Sequence, residues 1–475
     1  MSLALIAPWL VLLGYCALIL RMTPRRVTPA QFFAGGTETG GEPGLWLLVA
    51  SAAITWIFAK SIANAADLAN AFGVAGGIGY AFYYLSFVVA GVTIYLLRTR
   101  GGYTSLSDFL VSKYGALCAK LFLIAIAIRL FNEVWSNTKV AALYFGDEGS
   151  AEYWLGVLLV TAFTVYYSWR GGLRSSLLTD GAQMILAAVL LVAILTIIWP
   201  ALAERGLPEV SAGRTLAGVT FCGLALVQVL SYPFHDPVLT DRGFITSPKV
   251  MLRGFILAGI CAGAFILLFS TVGLYGSSLG ISGNSSVSVP ASLGLPMLLV
   301  FNAIMVTSAG STLDSTFASA AKLAGRDWRN RPAGATKSQV RMGRAVMVAI
   351  AIFGNLPLLG IYLGEAAGPA IIAATTISGT MVMGLAPIFL LSFIPGAGKM
   401  SFHLAFWPGL LFGVGVTLEG ALGLELFPAW IDIGVGKYAD DLGINVYGLM
   451  VCTAGYLIGA VIGPALGGRG RGAEG

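Results

Sequence analysis

Residues 295–324 read LPMLLVFNAIMVTSAGSTLDSTFASAAKLA, an apolar run that is interrupted by hydroxyl side chains. Spacings of three and four residues place these hydroxyls on one face of a helix, namely Ser308, Ser311, Thr312, Ser315 and Ser319. Hydroxyl and backbone oxygens are ligands that suit a hard cation such as sodium. Small Ser and Thr residues also let two membrane helices pack closely. The spacing alone is therefore compatible with a cation site and with simple helix packing.

The composition is that of a membrane protein. Of the 475 residues, 57% are hydrophobic and 11% are charged, whereas a soluble globule carries about 25% charged residues. Repeated apolar runs of about 20 residues are typical of helical spans rather than barrel strands. We expect an all-α polytopic protein of the cell membrane, inner or plasma, that is embedded in the lipid bilayer. The net charge of +6 is spread over short loops, which does not indicate a nucleic-acid partner, and no obligatory protein partner is evident.

The apolar runs predict about thirteen transmembrane helices. They lie at residues 3–21, 44–72, 75–98, 116–145, 152–170, 177–200, 216–237, 250–275, 290–325, 340–363, 367–394, 402–424 and 443–466. The five cysteines all fall in apolar runs, so we expect neither a disulfide nor a metal cluster.

The distribution of basic residues predicts the orientation. Most of the 28 lysines and arginines fall on one side when the N-terminus is placed outside. An excess of basic residues marks the cytoplasmic side, so we expect the N-terminus outside and the C-terminus inside. The second to sixth spans then start inside and the seventh to eleventh start outside, which permits an inverted repeat.

This arrangement divides the chain into four parts. Residues 1–43 form a first transmembrane helix and a cytoplasmic loop, and residues 44–200 form a first five-helix repeat. Residues 201–394 form a second, inverted five-helix repeat. Residues 395–475 form two accessory helices and a short cytoplasmic tail, which we expect to be disordered after Gly467.

The second predicted span is unusually polar. It contains Lys60, Ser61, Asn64, Asp67 and Asn70 between apolar flanks. Such side chains are costly in a membrane and usually line a cavity or pathway. The run fits a discontinuous helix whose freed carbonyls bind an ion or a solute, although it contains no Gly or Pro to break it. The alternative is an unbroken interior helix with no ligand.

Two further spans carry charged side chains. In the seventh span, His235 and Asp236 lie between two prolines that interrupt the helix. In the fourth span, Glu133 lies four residues after Arg129 and can pair with it. Glu133 also matches Lys60 in depth, so a buried ion pair between Lys60 and Glu133 is the alternative.

The sequence lacks the motifs of several enzyme classes. The chain contains no phosphate-binding Gly-Lys-Ser/Thr loop and no His-Glu-x-x-His helix. It also shows no nucleophile or acid–base constellation. We therefore do not expect an enzyme.

Three motifs, in this order, resemble the sodium:solute symporter family, which includes the proline and galactose symporters. Residues 101–115 resemble the loop after the family's third span. Residues 171–183 resemble its Gly-Gly-x6-Thr-Asp-x-x-Gln motif. Residues 311–315, continuing to Gly325-Arg326-Asp327, resemble its sodium-site helix. The resemblance covers the first eleven spans.

The resemblance implies a leucine-transporter-type fold with a five-plus-five inverted repeat. It implies sodium binding by the side chains of Ser311 and Thr312, by the carbonyl of Ser308 and by carbonyls near Lys60 and Ala63. Asp180, which from the residues alone is either a simple helix N-terminal charge or part of an ion exit path, would assist release to the inside. The implied substrate-binding residues are Asn64, Gln228, Ser231, Tyr232, His235, Thr375 and Thr376.

These observations predict sodium-coupled symport of a small organic solute by alternating access, with sodium as coupling ion and no cofactor. Lys60 provides a first alternative, in which its ammonium replaces the cation and the transporter is proton-coupled or sodium-independent. A second alternative is a non-transporting membrane sensor, which would need a signalling domain that the short tail does not provide. The solute stays open among small amino acids, monocarboxylates and sugars.

Overall fold

The computed structural model describes residues 3–37, 40–329, 334–364 and 371–467, and within these ranges the regular structure is entirely helical. The α-helices, in chain order, are α1 (Leu3–Met22), α2 (Pro29–Ala34), α3 (Leu45–Trp56), α4 (Ala59–Phe72), α5 (Val74–Phe82), α6 (Ser86–Thr99), α7 (Leu106–Tyr114), α8 (Ala116–Ala142), α9 (Ala151–Arg205), α10 (Ala212–Gln228), α11 (Pro237–Arg242), α12 (Pro248–Ser278), α13 (Ser285–Leu293), α14 (Leu295–Gly325), α15 (Lys337–Phe353), α16 (Leu385–Leu390), α17 (Lys399–Leu422) and α18 (Ala439–Gly467).

Multiple membrane-spanning helices are present. By length and composition, seven described helices can cross a membrane, or eight if the bent pair α3 and α4 is one span. The number is lower than thirteen partly because α9, with 55 residues, counts once although its length of roughly 80 Å exceeds a bilayer. In addition, α1 offers only the short apolar stretch Ile6–Met22, and the predicted span 367–394 begins outside the described residues. The number of spans, the orientation, the inverted repeat and the four-part division stay predictions.

Helix α9 bends at a single glycine. Gly172 has φ 54° and ψ −143°, a backbone conformation that favours glycine. A Cβ atom at this position would lie 2.4 Å from the carbonyl oxygen of Phe32 in α2. Only this bend separates the predicted spans 152–170 and 177–200, because residues 173–183 are helical.

The second predicted span is discontinuous, as its polarity indicated. Helix α3 ends at Trp56, α4 begins at Ala59, and their axes differ by 60°. The break occurs without Gly or Pro, at Ile57 and Phe58. Side chains from other segments donate hydrogen bonds to the freed carbonyls. The Tyr84 hydroxyl, for example, donates to the Trp56 carbonyl at 2.9 Å. Tertiary contacts therefore stabilise a break that no helix-breaking residue imposes.

Helix α14 lies at the centre of the bundle. It packs against α9, α15 and α8, and against the broken pair α3 and α4. Most residues from Phe301 to Ala321 are buried, so the hydroxyl stripe lies inside the protein. Gly310 permits close approach of α1, because a Cβ atom there would lie 1.8 Å from the Tyr15 hydroxyl.

The remaining helices support this centre from both sides. Helix α12 packs against α3, α4 and α6 and so also supports the broken pair. Helices α17 and α18 pack against each other, and α18 also contacts α10. The expected disordered tail after Gly467 lies outside the described residues.

Candidate functional site

The hydroxyl stripe of α14 faces the break between α3 and α4. The Ser308 hydroxyl donates to the carbonyl of Ile57, and the Thr312 hydroxyl donates to the carbonyl of Thr55 at 3.3 Å. Both side chains are 0% exposed. Two hydroxyl oxygens and two freed carbonyl oxygens from separate elements therefore converge at one buried position.

Asp180 joins this cluster from α9. Its Oδ1 accepts from the Ser311 hydroxyl at 2.5 Å, and its Oδ2 accepts from the Ser51 hydroxyl at 2.5 Å. Asp180 is 0% exposed and lies inside α9, eight residues beyond the bend at Gly172. It is therefore a buried carboxylate at the centre of the bundle and does not cap a helix N-terminus.

A wholly buried guanidinium lies against Asp180. The Nη2 atom of Arg242 is 3.0 Å from Asp180 Oδ2 and donates to the Ser315 hydroxyl at 2.7 Å. Its Nε atom donates to Ser51 at 2.8 Å, and its Nη1 donates to the carbonyl of Val238 at 2.9 Å. The sequence analysis did not identify Arg242 as a site residue. The feature of the sequence that points to Arg242 is its position just after the interrupted seventh span.

Asp314 is a second buried carboxylate in this cluster. Its Oδ2 accepts from the hydroxyls of Tyr167 at 2.8 Å and Thr179 at 3.0 Å, and the Ser315 hydroxyl lies 3.2 Å from its Oδ1. Within the described part of the chain, no basic side chain forms an ion pair with it. A buried carboxylate with only neutral donors favours a proton or a metal cation.

The last member of the stripe belongs to a different group. The Ser319 hydroxyl donates to Asp241 at 2.9 Å. Lys322 bridges Asp241 at 2.6 Å and Asp327 at 3.0 Å. Burial raises the pKa of the Asp327 carboxyl, with Lys322 opposing the change. This group links α11 to the end of α14, on the side that the charge pattern assigns to the cytoplasm.

A cavity of about 730 Å³ begins beside the break. Trp56 and Phe58 line it, one residue on either side of Ile57. It extends to Lys437 and Tyr438, in a loop that the charge pattern assigns to the outside. Its polar lining also includes Lys60, Ser61, Asn64, Asp67, Asn70, Arg129, Asn132, Trp135, Ser136, Gln228, Thr376 and Ser378, together with Tyr80, Tyr83, Tyr84 and Tyr232.

The cavity includes some of the predicted substrate-binding residues and not others. Those that line it are Asn64, Gln228, Tyr232 and Thr376. Ser231, His235 and Thr375 do not line it, and their side chains bond locally. Ser231 donates to the carbonyl of Gln228 at 3.3 Å and Thr375 to that of Ile371 at 2.8 Å. His235 is 0% exposed, with its Nδ1 at 2.5 Å from the carbonyl of Tyr232.

Four charged side chains form a network at the edge of the cavity. The Lys60 ammonium is 2.8 Å from Glu133 and donates to Ser136 at 3.1 Å. Arg129 also contacts Glu133, and its Nη2 is 3.4 Å from Asp236. Both pairings that the sequence suggested for Glu133 therefore occur together.

The remaining predicted cation ligands, the carbonyls near Lys60 and Ala63, belong to α4. Lys60 and Ala63 lie within α4, beyond the break, and the Lys60 side chain faces Glu133 in the cavity. The structure thus brings together Ser308, Ser311, Thr312 and Asp180, while the carbonyls near Lys60 and Ala63 stay a prediction.

Comparisons with known proteins define the fold. No protein-family model matches the sequence, and no curated protein matches it. A solved structure described as "Substrate-bound outward-open state of a Na+-coupled sialic acid symporter reveals a novel Na+-site" matches with a TM-score of 0.65 and 15% sequence identity. The match covers 96% of this chain and 98% of that one. The two proteins therefore share a fold over nearly their whole length, which agrees with the transporter architecture that the motifs predict.

Proposed function

We propose that this chain is a secondary active transporter that couples uptake of a small organic solute to sodium entry by alternating access. The observation that carries the proposal is the meeting of α14 with the broken second span. There, the hydroxyls of Ser308 and Thr312 contact freed carbonyls. The adjoining residue Trp56 lines the cavity, so an ion and a solute would share one structural element. The shared fold with a sodium-coupled symporter supports this assignment.

The chemistry of the cluster suits sodium. Hydroxyl and carbonyl oxygens are hard, neutral ligands, and here they come from two separate elements. A sodium ion between them would replace the hydrogen bonds of Ser308 and Thr312 and tie α14 to the break. An ion shifts a conformational equilibrium only by its difference in affinity for the two states. Because the ligands come from both α14 and the break, the site would bind sodium tightly only in the state in which these two elements are in contact, and this provides the difference in affinity.

We assign the ligands as the oxygens of Ser308, Ser311 and Thr312 together with carbonyls at the break. The carbonyls of Thr55 and Ile57 are better placed than those of Lys60 and Ala63, because they already contact the stripe. Asp180, which holds Ser311, would assist release of the ion towards the inside.

The two ends of the molecule support alternating access. The cavity extends to Lys437 and Tyr438, which the charge pattern places outside. On the predicted inner side, Lys322 bridges Asp241 and Asp327 and ties α11 to α14. We propose that these ion pairs close the inner side while the cavity is open to the outside, and that they separate when the protein opens inwards.

Sodium binding tests the proposal directly. Thermal unfolding of the purified full chain is measured across a sodium series, with choline as the balancing ion. Wild type should be stabilised by sodium, and Thr312→Ala should require roughly tenfold more sodium, which corresponds to about 1.4 kcal/mol.

Thr316→Ala is the matched control. Thr316 is equally buried in α14, but its hydroxyl donates to the Thr312 carbonyl of its own helix at 2.8 Å. This variant should keep the response of wild type. A wild-type protein that responds identically to sodium and choline contradicts sodium coupling.

A second candidate function, proton-coupled transport, is favoured by the two buried carboxylates. Arg242 already supplies Asp180 with a cation, while Asp314 contacts only neutral hydroxyls and could carry a proton. In a proton-coupled transporter, Arg242 and not Lys60 would provide the positive charge that replaces sodium, because Lys60 contacts Glu133 at the cavity. Uptake driven by an inward proton gradient in sodium-free proteoliposomes distinguishes it from sodium coupling.

A further inference from the structure

We propose that a second cavity, on the side that the charge pattern assigns to the cytoplasm, binds the phosphate headgroup of an anionic phospholipid. This basic cavity has a volume of about 820 Å³ and is lined by residues of α2, of α9 just before its bend, and of α15. The three helices contact one another. The inference uses neither the hydroxyl cluster nor the solute cavity, so it does not depend on the proposed function.

The charges that line the basic cavity have one sign. Lys337, Arg341 and Arg344 line it, and its described lining residues include no Asp or Glu. Over the described ranges of the chain, none of these three cations forms an ion pair. Lys322, on the same predicted side, instead bridges two aspartates. Three cations that meet at one cavity without a counter-charge favour an anionic ligand.

Arg344 is held in position by the protein. Its Nε donates to the carbonyl of Trp169 at 2.8 Å. Its guanidinium carbon is 4.3 Å from the centre of the Trp169 ring and 5.6 Å from the centre of the Phe32 ring. Its Nη1 has no acceptor in the described part of the chain. A guanidinium that is fixed in this way presents N–H groups in the fork geometry that suits phosphate oxygens.

The face of α15 that carries these cations continues as an apolar surface. Spacings of three and four residues place on one face Lys337, Arg341, Arg344, Val348 and Ile352. Val348 is 41% exposed and Ile352 is 60% exposed. From Arg341 to Ile352 the helix rises about 16 Å, roughly half the thickness of the hydrocarbon core. A phospholipid has the same order of groups, a charged headgroup followed by hydrocarbon chains, whereas a free phosphate would use only the basic end.

Aromatic side chains of α9 place the basic cavity at the membrane surface. Tyr166 is 50% exposed and Trp169, which lines the cavity, is 41% exposed. Trp and Tyr are enriched where a membrane meets water. Basic pockets between membrane helices on the cytoplasmic side bind anionic headgroups. A lipid of the inner leaflet would thus place its phosphate beside Arg341 and Arg344 and its chains along Val348 and Ile352.

Two lipids that differ in headgroup test the inference. The purified full chain in a neutral detergent receives dioleoylphosphatidylglycerol, which is anionic, or dioleoylphosphatidylcholine, which has the same chains and no net charge. Native mass spectrometry counts the retained lipid, and thermal unfolding at constant ionic strength measures stabilisation. The anionic lipid should bind roughly tenfold or more tightly than the neutral one. Inorganic phosphate and glycerol phosphate should not stabilise the protein comparably.

A double variant locates the headgroup. Lys337→Gln combined with Arg341→Gln removes two cations of the basic cavity. Both side chains are exposed, so the fold should be retained. Binding of the anionic lipid should weaken roughly tenfold or more, because each nearby basic residue contributes to the attraction, and binding of the neutral lipid should not change.

A second double variant is the matched control. Lys249→Gln combined with Arg253→Gln removes a lysine and an arginine with the same spacing of four residues, at the start of α12. Both side chains are exposed, lie on the same predicted side of the membrane and do not line the basic cavity. This variant should keep the lipid preference of wild type.

A preference for the anionic lipid that the first double variant loses and the control keeps supports the inference. Equal binding of the two lipids overturns it. Equal losses in both double variants also overturn it, because general electrostatic attraction would then explain the binding. Stabilisation by phosphate or glycerol phosphate as strong as that by the lipid overturns it in favour of a soluble anion. A protein dimer that retains no lipid overturns it as well.

Discussion

The hydroxyl cluster and the cavity lie next to each other and differ in their polar groups. Around α14, oxygens converge from Ser308, Thr312 and the freed carbonyls of Thr55 and Ile57. The cavity, in contrast, is lined by charges of both signs, since Lys60, Arg129 and Asp67 are part of its lining. The break between α3 and α4 separates the two. The proposed ion site and the proposed solute site thus share a single interruption of one helix.

Within the hydroxyl cluster, two buried aspartates differ in their partners. Asp180 has a guanidinium partner, whereas Asp314, bonded to Tyr167 and Thr179, has hydroxyl partners only. Identical side chains at neighbouring positions therefore have different electrostatic surroundings. This difference predicts different costs when each carboxylate or its partner is changed.

The largest effect is expected for Arg242→Gln. This change leaves Asp180 without its cation in a fully buried position. Breaking a buried ion pair from one side typically costs about 3–5 kcal/mol. The unfolding midpoint of the purified protein should fall strongly, and the double variant with Asp180→Asn should recover part of the loss. A single variant as stable as wild type would contradict the structural role of this pair.

Asp314→Asn should have a far smaller effect on stability than Asp180→Asn. An amide oxygen at position 314 can still accept from Tyr167 and Thr179, while Asn at position 180 no longer attracts Arg242. We expect a change below about 1 kcal/mol for Asp314→Asn and about 3 kcal/mol for Asp180→Asn. Chemical or thermal unfolding of the two variants side by side measures the difference. Equal losses of stability in the two variants would show that Asp314 also stabilises the protein through its negative charge.

Lys60→Gln should separate the two regions functionally. Lys60 contacts Glu133 at the cavity and lies outside the hydroxyl cluster. Hydrogen bonds to charged groups contribute about 1.5–3 kcal/mol, so binding of a solute that contacts Lys60 should weaken roughly 10- to 100-fold. Sodium-induced stabilisation should stay close to that of wild type. Loss of the sodium response with unchanged binding of the solute would instead support Lys60 as the replacement for the coupling cation.

Ser319→Ala should have the smallest effect. Ser319 lies on the same face of α14 as the cluster, but it contacts Asp241, which keeps its bridge to Lys322. The loss of one hydrogen bond should cost about 1 kcal/mol or less. Both sodium and solute binding should remain unchanged in the thermal-shift measurements. A reduced sodium affinity would extend the cation site towards the inner side.

The polar pattern of the second span predicted its break, yet not the position of the break. Polar side chains such as Lys60 and Asn64 signal a cavity through their cost in a membrane. The actual break lies earlier, at Ile57 and Phe58, both of which are apolar. It depends on hydroxyls of other segments, namely Tyr84, which is 28 residues from Trp56, and Ser308, which is 251 residues from Ile57. Contacts across more than 200 residues cannot be inferred from local periodicity.

Sequence by itself determined the helical membrane class, the common face of the hydroxyl stripe and the polarity of the second span. Hydropathy and helical spacing are local properties, so they can be recognised within one segment. The tertiary structure alone decided which stripe residues meet the break, that Arg242 neutralises Asp180, and that Ser319 belongs to another group. It also separated Asn64 and Gln228, which line the cavity, from His235, which does not. These assignments depend on how separate helices pack, because the partner of a buried charge or donor is chosen by proximity in space.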